Sequence, residues 1–154
     1  MNTAPKKLTW IRSVYDTLNL DDLLAGLLWK LKPSKRKALI KQALRLVLKN
    51  NKQRIRQQQN VDGSSYTPRK PRKNKTKKKM LIGFIPHLKI LEATANQGKA
   101  GIIKKSLGLA TIHHHGLTDK QGQEMPERQL MGLSDQDKEI VMDLFINAVF
   151  ANES

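Results

Sequence analysis

Apolar side chains return at three- and four-residue steps in two places in the first third of the chain. Leu20, Leu23, Leu24, Leu27, Leu28 and Leu31 form the first set, which predicts an amphipathic helix over about residues 17–31. Asn19 can cap it, Asp21 and Asp22 suit its positive end, and Pro33 stops it. Leu39, Ile40, Ala43, Leu44, Val47 and Leu48 form the second stripe, on a longer helix capped by Ser34 and running to about residue 59. A short Pro–Ser connection predicts that the two pack as an antiparallel hairpin. The second helix ends in QQQN, so its last turns are expected to project from the core.

The pattern then changes twice. Residues 60–79 have almost no apolar side chains, a turn signal at Asp62-Gly63, and two prolines, Pro68 and Pro71, that oppose helix. Residues 80–115 contain short β-branched and aromatic segments with partial alternation, and Asn96-Gln97-Gly98-Lys99 is a hairpin-turn candidate. This predicts three or four antiparallel strands, the last ending at the histidines. Gly83 and Pro86 weaken the first, leaving it a helical turn or an edge. A final helix follows Ser134, with Asp137 completing a capping-box pattern. Its packing face is expected to be Ile140, Val141, Leu144, Phe145, Ala148 and Val149. The fold class is therefore α+β. A single domain spans 1–154: an N-terminal helical hairpin, a small antiparallel sheet and a C-terminal helix, the helices covering one face of the sheet. A flexible basic arm at 66–79 completes it, because such a segment buries too little to offset its ordering entropy.

Charge sharpens this picture. The 154 residues carry 29 Lys/Arg and 13 Asp/Glu, a net +16. Residues 35 to 79 hold 17 of the bases and one acid, Asp62, and elsewhere 12 bases meet 12 acids. All net charge thus lies in one block, which suits a polyanion or an acidic protein surface. The block ends in Arg69, Lys70, Arg72, Lys73, Lys75, Lys77, Lys78 and Lys79, the candidate partner- or DNA-binding residues. Tyr66 is the one aromatic beside them and no zinc-finger or RNP-like pattern occurs, so any nucleic-acid contact is expected to be non-specific.

Chemistry is hard to find. Cysteine is absent, which removes disulfides, Cys-ligated metals and thiol nucleophiles. His113, His114 and His115 invite a metal reading, but on a strand only His113 and His115 share a face, and no carboxylate stands at ligand-like spacing. No serine sits in a nucleophile elbow, and no phosphate-binding glycine motif occurs. The expectation is no catalytic residue, no metal and no cofactor. The apolar runs are too short to span a bilayer, and the first residues lack a signal-peptide core, so no membrane role is expected.

Three blocks carry a resemblance. RIRQQQNVDGSSYTPRKP ends the basic helix, ATIHHHG closes a later segment, and MPERQLMGLSDQDKEIV leads into the last helix. Their order and spacing resemble the phage virion morphogenesis family, the tail-completion protein S family of contractile-tailed phages. Asp62, Gly63, Tyr66, Pro68, Lys70, His113, Gly116, Pro126, Arg128, Gly132 and Ser134 occupy the motif positions. Glu127-Arg128-Gln129 departs from the pattern, which commonly has a small residue before the Arg and a Pro after it.

The resemblance implies a structural virion protein of the neck or tail terminus, made in the host cytoplasm. It implies a ring, commonly a hexamer, around the DNA channel. Its neighbours would be tail-tube, sheath or tail-terminator proteins and head-completion or connector proteins, with possible non-specific contact to packaged DNA. The motif residues would then be scaffold, with Arg128 tethering its loop through carbonyl groups. The alternative from a different class is a non-specific nucleic-acid-binding protein acting alone through the basic block.

Overall fold

The computed structural model describes residues 16–19, 28–71, 73 and 78–153. Strand β1 (Asp16–Asn19) precedes a 3-10 turn (Leu28–Lys30) and the long helix α1 (Pro33–Gln57). A 3-10 segment (Ile82–His87) leads into strands β2 (Leu88–Ala93) and β3 (Gln97–Ile102). Helices α2 (Lys104–His115) and α3 (Asp135–Glu153) complete the order. The class is α+β, as the pattern of the chain indicates.

The strands form one antiparallel sheet in the order β1-β3-β2. Register runs from Leu88 opposite Ile102 to Ala93 opposite Gly98, with an irregularity between Ile90 and Glu92. Residues 80–115 thus supply two strands rather than three or four, and the third comes from Asp16–Asn19, pairing Asp16 with Ala100 and Asn19 with Gln97. The start of the expected first helix is therefore strand. Residues 20–27 of that helix, and the hairpin expected of it, lie outside the described residues.

Three further expectations are corrected. Pro33 belongs to the long helix rather than to a connection before it. It occupies the first turn of α1, where its missing N–H costs nothing, and Lys32 rather than Ser34 stands at the cap, with no side-chain bond. The segment ending in the three histidines is helix α2, not strand. Ala110 and His113, three residues apart, face inward, and Gly116 closes the helix at φ 63°, ψ 47°. Finally, the last turns of α1 do not project: Asn51 and Ile55 are fully enclosed.

Helix α1 is the centre of the molecule. It packs against β2 and β3 on one side and α3 on another. Its buried stripe is Leu39, Ile40, Ala43, Leu44, Val47, Leu48 and Ile55. Close approach to the sheet requires Gly98, since a methyl group there would lie 2.5 Å from Ile40 Cγ2 and 2.8 Å from Leu44 Cδ1. Gly98 is thus a strand residue beneath a helix rather than a turn residue. The turn itself is Thr94–Gln97, where the Thr94 N–H donates to Gln97 O at 2.8 Å and Thr94 Oγ1 accepts from the Gln97 N–H at 3.0 Å. Helix α3 lies against α1 rather than on the sheet. Val141, Phe145 and Val149 fill its contact, while Ile140 is exposed and Leu144 only partly covered.

Candidate functional site

The arm leaves the body at a tight hairpin. Gln58 adopts the left-handed conformation (φ 59°) after α1, and the Gln59 N–H reaches back to Arg54 O at 2.9 Å. Gln59 then pairs with Ser65. The Asn60 N–H donates to Ser64 O at 2.8 Å and the Gly63 N–H to Asn60 O at 3.0 Å. Gly63 takes φ 86°, a conformation that an L side chain rarely adopts. Asp62 Oδ1 accepts from the Ser64 hydroxyl at 2.6 Å and the Ser64 N–H at 2.9 Å. These bonds hold the Asp62 carboxyl below its usual range.

The same hairpin occurs again 59 residues later. Helix α2 ends with the Leu117 N–H donating to Ile112 O at 2.9 Å, the counterpart of the bond that closes α1. Thr118 pairs with Glu124, as Gln59 does with Ser65. The Asp119 N–H donates to Gln123 O, the Gly122 N–H to Asp119 O, and the Met125 N–H to Leu117 O. These bonds match, one for one, those of Asn60, Gly63 and Tyr66. Gly122 repeats the positive φ of Gly63, at 76°. The sequence conceals this repeat because the turns share a backbone path rather than side chains.

The arm is held where it begins. Tyr66 is buried, its N–H donates to Gln58 O at 2.6 Å, and its hydroxyl donates to Gln129 O. Burial pushes the phenol pKa up, against the pull of Arg54 and Arg128, so the hydroxyl keeps its proton. Arg128 is also buried. Its Nε donates to Thr67 O at 2.8 Å and Nη2 to Pro68 O at 3.4 Å, while its own N–H donates to His113 O at 2.7 Å. Carbonyl oxygens thus receive a desolvated guanidinium, as a buried charge requires, and burial lowers its pKa while Tyr66 opposes the shift.

The arm is held again where it ends. The Gln58 side chain reads the Met80 backbone both ways, Nε2 donating to Met80 O at 2.9 Å and Oε1 accepting from the Met80 N–H at 2.6 Å. Lys79 Nζ donates to Arg56 O at 2.8 Å. Between the clamps, Arg69, Lys70, Lys73, Lys78 and Lys79 are exposed, whereas Arg72, Lys75 and Lys77 lie outside the described residues. Arg69 and Lys79 border an open groove of about 360 Å³ whose floor includes Leu81, Phe84, Leu109 and His113.

A buried polar cluster joins α1 to the start of α3. Asn51 Oδ1 accepts from the Gly132 N–H and Nδ2 donates to Gly132 O, both at 3.0 Å. Arg54 Nη2 donates to the same carbonyl at 3.0 Å, and Nη1 lies 2.9 Å from Asp137 Oδ2. Asp137 also accepts from Asn50 Nδ2 at 2.6 Å. It forms the capping box with Ser134: the Ser134 N–H donates to Asp137 Oδ2 and the Asp137 N–H to Ser134 Oγ. One carboxylate therefore starts α3 and binds it to α1.

Asp62, Gly63, Tyr66, Pro68, His113, Gly116, Pro126, Arg128, Gly132 and Ser134 all fall on the arm's exit hairpin, its tether, the end of α2 or the lead into α3. The histidines stand on a helix, where residues two apart do not share a face. The strand-based pairing of His113 with His115 therefore fails. His113 is buried, and burial, aided by Arg128, lowers its pKa. His114 Nδ1 accepts from the Leu130 N–H at 3.1 Å, and burial, with His115 nearby, pushes its pKa down to about 4. Among the described residues no group of three His, Asp or Glu is placed to hold a metal, and no described helix is long and apolar enough to cross a membrane. Sequence reasoning misses Asn51, Arg54, Gln58 and Gln129. Only Asn51 leaves a sign there, a polar residue on an otherwise apolar stripe.

The sequence profile of the phage virion morphogenesis family matches residues 15–149, and the chain belongs to that family. It is 26% identical over 140 residues to tail completion protein S of Escherichia phage P2, covering 82% of this chain and 92% of that protein. No solved structure matches it. The family places the chain among structural proteins of the phage tail, associated with the virion and with other tail proteins.

Proposed function

We propose that the chain completes the phage tail at its head-proximal end and enables stable joining of head to tail. It acts as a non-catalytic subunit of a ring around the DNA channel, six copies being the expected number. The observation that carries this reading is the family match over residues 15–149, which takes in the exit hairpin, the tether and the capped lead into α3. In the ring, the arm at 66–79 lies against packaged DNA or an acidic neighbour in the tail or head connector. No metal or cofactor enters the reading.

The test is deletion of the gene from the genome that encodes the chain, followed by complementation. Tails lacking a finished end, restored to head-bearing particles by the wild-type chain, are expected. Normal particles without it would overturn the reading.

A second reading is favoured by the concentration of charge on α1 and the arm: a nucleic-acid binder acting alone. Size-exclusion with light scattering in high salt separates the two. A ring supports tail completion, and a monomer that shifts DNA in a salt-steep manner supports the binder.

A further inference from the structure

We infer that the exposed ridge of α1, formed by Lys37, Lys41, Arg45, Lys49, Lys52 and Arg56, is a surface for the phosphate backbone of duplex DNA. The inference rests on the proposed tail-end role for the presence of DNA beside the chain, and on the helix itself for its chemistry.

The six residues follow one another at steps of three and four. They fall within roughly a third of the helix circumference and extend over about 28 Å. Five are exposed and Lys52 partly so. Residues 33–57 contain no acid, and none of the six forms an ion pair with a described residue. The remaining arginines of the helix are engaged. Arg36 faces the Trp29 ring at 4.7 Å and Leu31 O at 3.4 Å, and Arg54 binds Asp137.

Like charges at these steps repel and weaken a helix, so the fold bears a cost that an external anion would remove. An ordinary protein partner fits poorly, because interface cores are depleted in lysine and rich in apolar and aromatic groups, and this ridge presents neither. A regular anion without apolar groups fits well. The ridge is long enough to follow about eight base pairs of duplex axis. Lys79, tied to Arg56 O, brings the described end of the arm to the same end of the ridge, making one positive surface.

The test uses the full-length chain, a short random-sequence duplex, and fluorescence anisotropy across a salt series. The variant K41Q/R45Q/K49Q/K52Q is compared with K41R/R45K/K49R/K52R, which keeps every charge. The neutral variant should lose more than about tenfold in affinity at low salt. Its salt slope should fall by about 0.9 for each phosphate no longer neutralised, roughly three to four units in all. The charge-keeping variant should retain both values, and a second duplex sequence should bind equally well. An unchanged slope in the neutral variant, or equal losses in the two variants, overturns the inference. Unchanged duplex affinity with a lower assembly mass in light scattering also overturns it, and assigns the ridge to an acidic face of a second copy, with Asp135, Glu139 and Asp143 of α3 the candidates. Failure of the wild-type chain to complete tails would sink the tail-end role while leaving the anisotropy result to judge the ridge.

Discussion

A methyl group on Gly132 would lie 2.3 Å from Val61 Cγ2, whereas one on Gly116 would lie 2.9 Å from the backbone nitrogen of Glu127. The first obstacle is a side chain and the second is main chain already held by the neighbouring Arg128–His113 bond. Gly132→Ala is therefore expected to destabilise by about 1–3 kcal/mol, and Val61→Ala in the same chain should recover most of the loss. Gly116→Ala adds the left-handed φ of 63°, which itself disfavours a Cβ by about 1–2 kcal/mol, and Glu127→Ala should recover little. Chemical denaturation of the four variants checks both. His114 gives the residue scale a pH signature. Its pKa falls from 6.5 to about 4 on folding, mainly through burial, so the folded chain binds fewer protons than the unfolded chain between those values. Its contribution is complete above about pH 6.5 and is lost as the pH falls toward 4. Protonation would also remove the acceptor used by the Leu130 N–H. His114→Gln can keep an acceptor without titrating, and should flatten that part of the stability profile. An equally steep fall in His114→Gln would assign the effect to other groups.

Between elements, Asp137 is the group with most to lose. It caps α3, accepts from Asn50 and pairs with Arg54 in a buried setting. Asp137→Ala should cost about 3 kcal/mol, because it removes the cap of α3 and leaves the partly buried Arg54 without its counter-ion. Arg54→Met with Asp137→Leu should cost less than the sum of the single changes, and a double-mutant cycle on unfolding free energies reads the difference. The Ser134–Asp137 box is legible in the sequence because its chemistry is local. The tie to Arg54 is not, because it crosses 83 positions. The same division explains the rest of the fold. The apolar stripe of α1 has helical period and is the core face observed. Residues 104–115 also form a helix, yet their mixed β-branched and polar text shows no sustained period of 3.6. On α3 the helical period is plain in the sequence and five of the six residues it points to pack on the core, Val141, Phe145 and Val149 fully and Leu144 and Ala148 in part, while Ile140 stays exposed. Phe145→Asp should therefore unfold the subunit, as should Leu44→Asp, whereas Leu144→Asp should be the milder change. Circular dichroism melts order the three.

On the scale of the whole molecule, the basic block divides into a part built on α1 and an arm whose two described ends are clamped to the body. Arg128 and Tyr66 hold one end of the arm, and Gln58 and the Lys79–Arg56 bond hold the other. Charge can be counted from the sequence, and the family motif points to Arg128 as a tether to carbonyl groups, but the partners of the clamps cannot be read there, because each is a long-range bond to backbone. The arrangement separates fold from function. Arg69, Lys70 and Lys73 are exposed, so replacing them and Arg72 by Ser or Gln should change unfolding free energy by no more than about 0.5 kcal/mol. The proposed ring should likewise still assemble. What should fall is the yield of joined particles, together with the salt slope of duplex binding, by about one unit for each phosphate left without a cation. The attraction is Coulombic and screened over about 10 Å at 0.1 M salt, so the deficit should be largest at low salt and narrow as salt is raised during assembly. Normal particle yield and an unchanged salt slope in the four-fold variant would make the arm a tether alone, and would leave the ridge of α1 as the surface on which the charge of this chain acts.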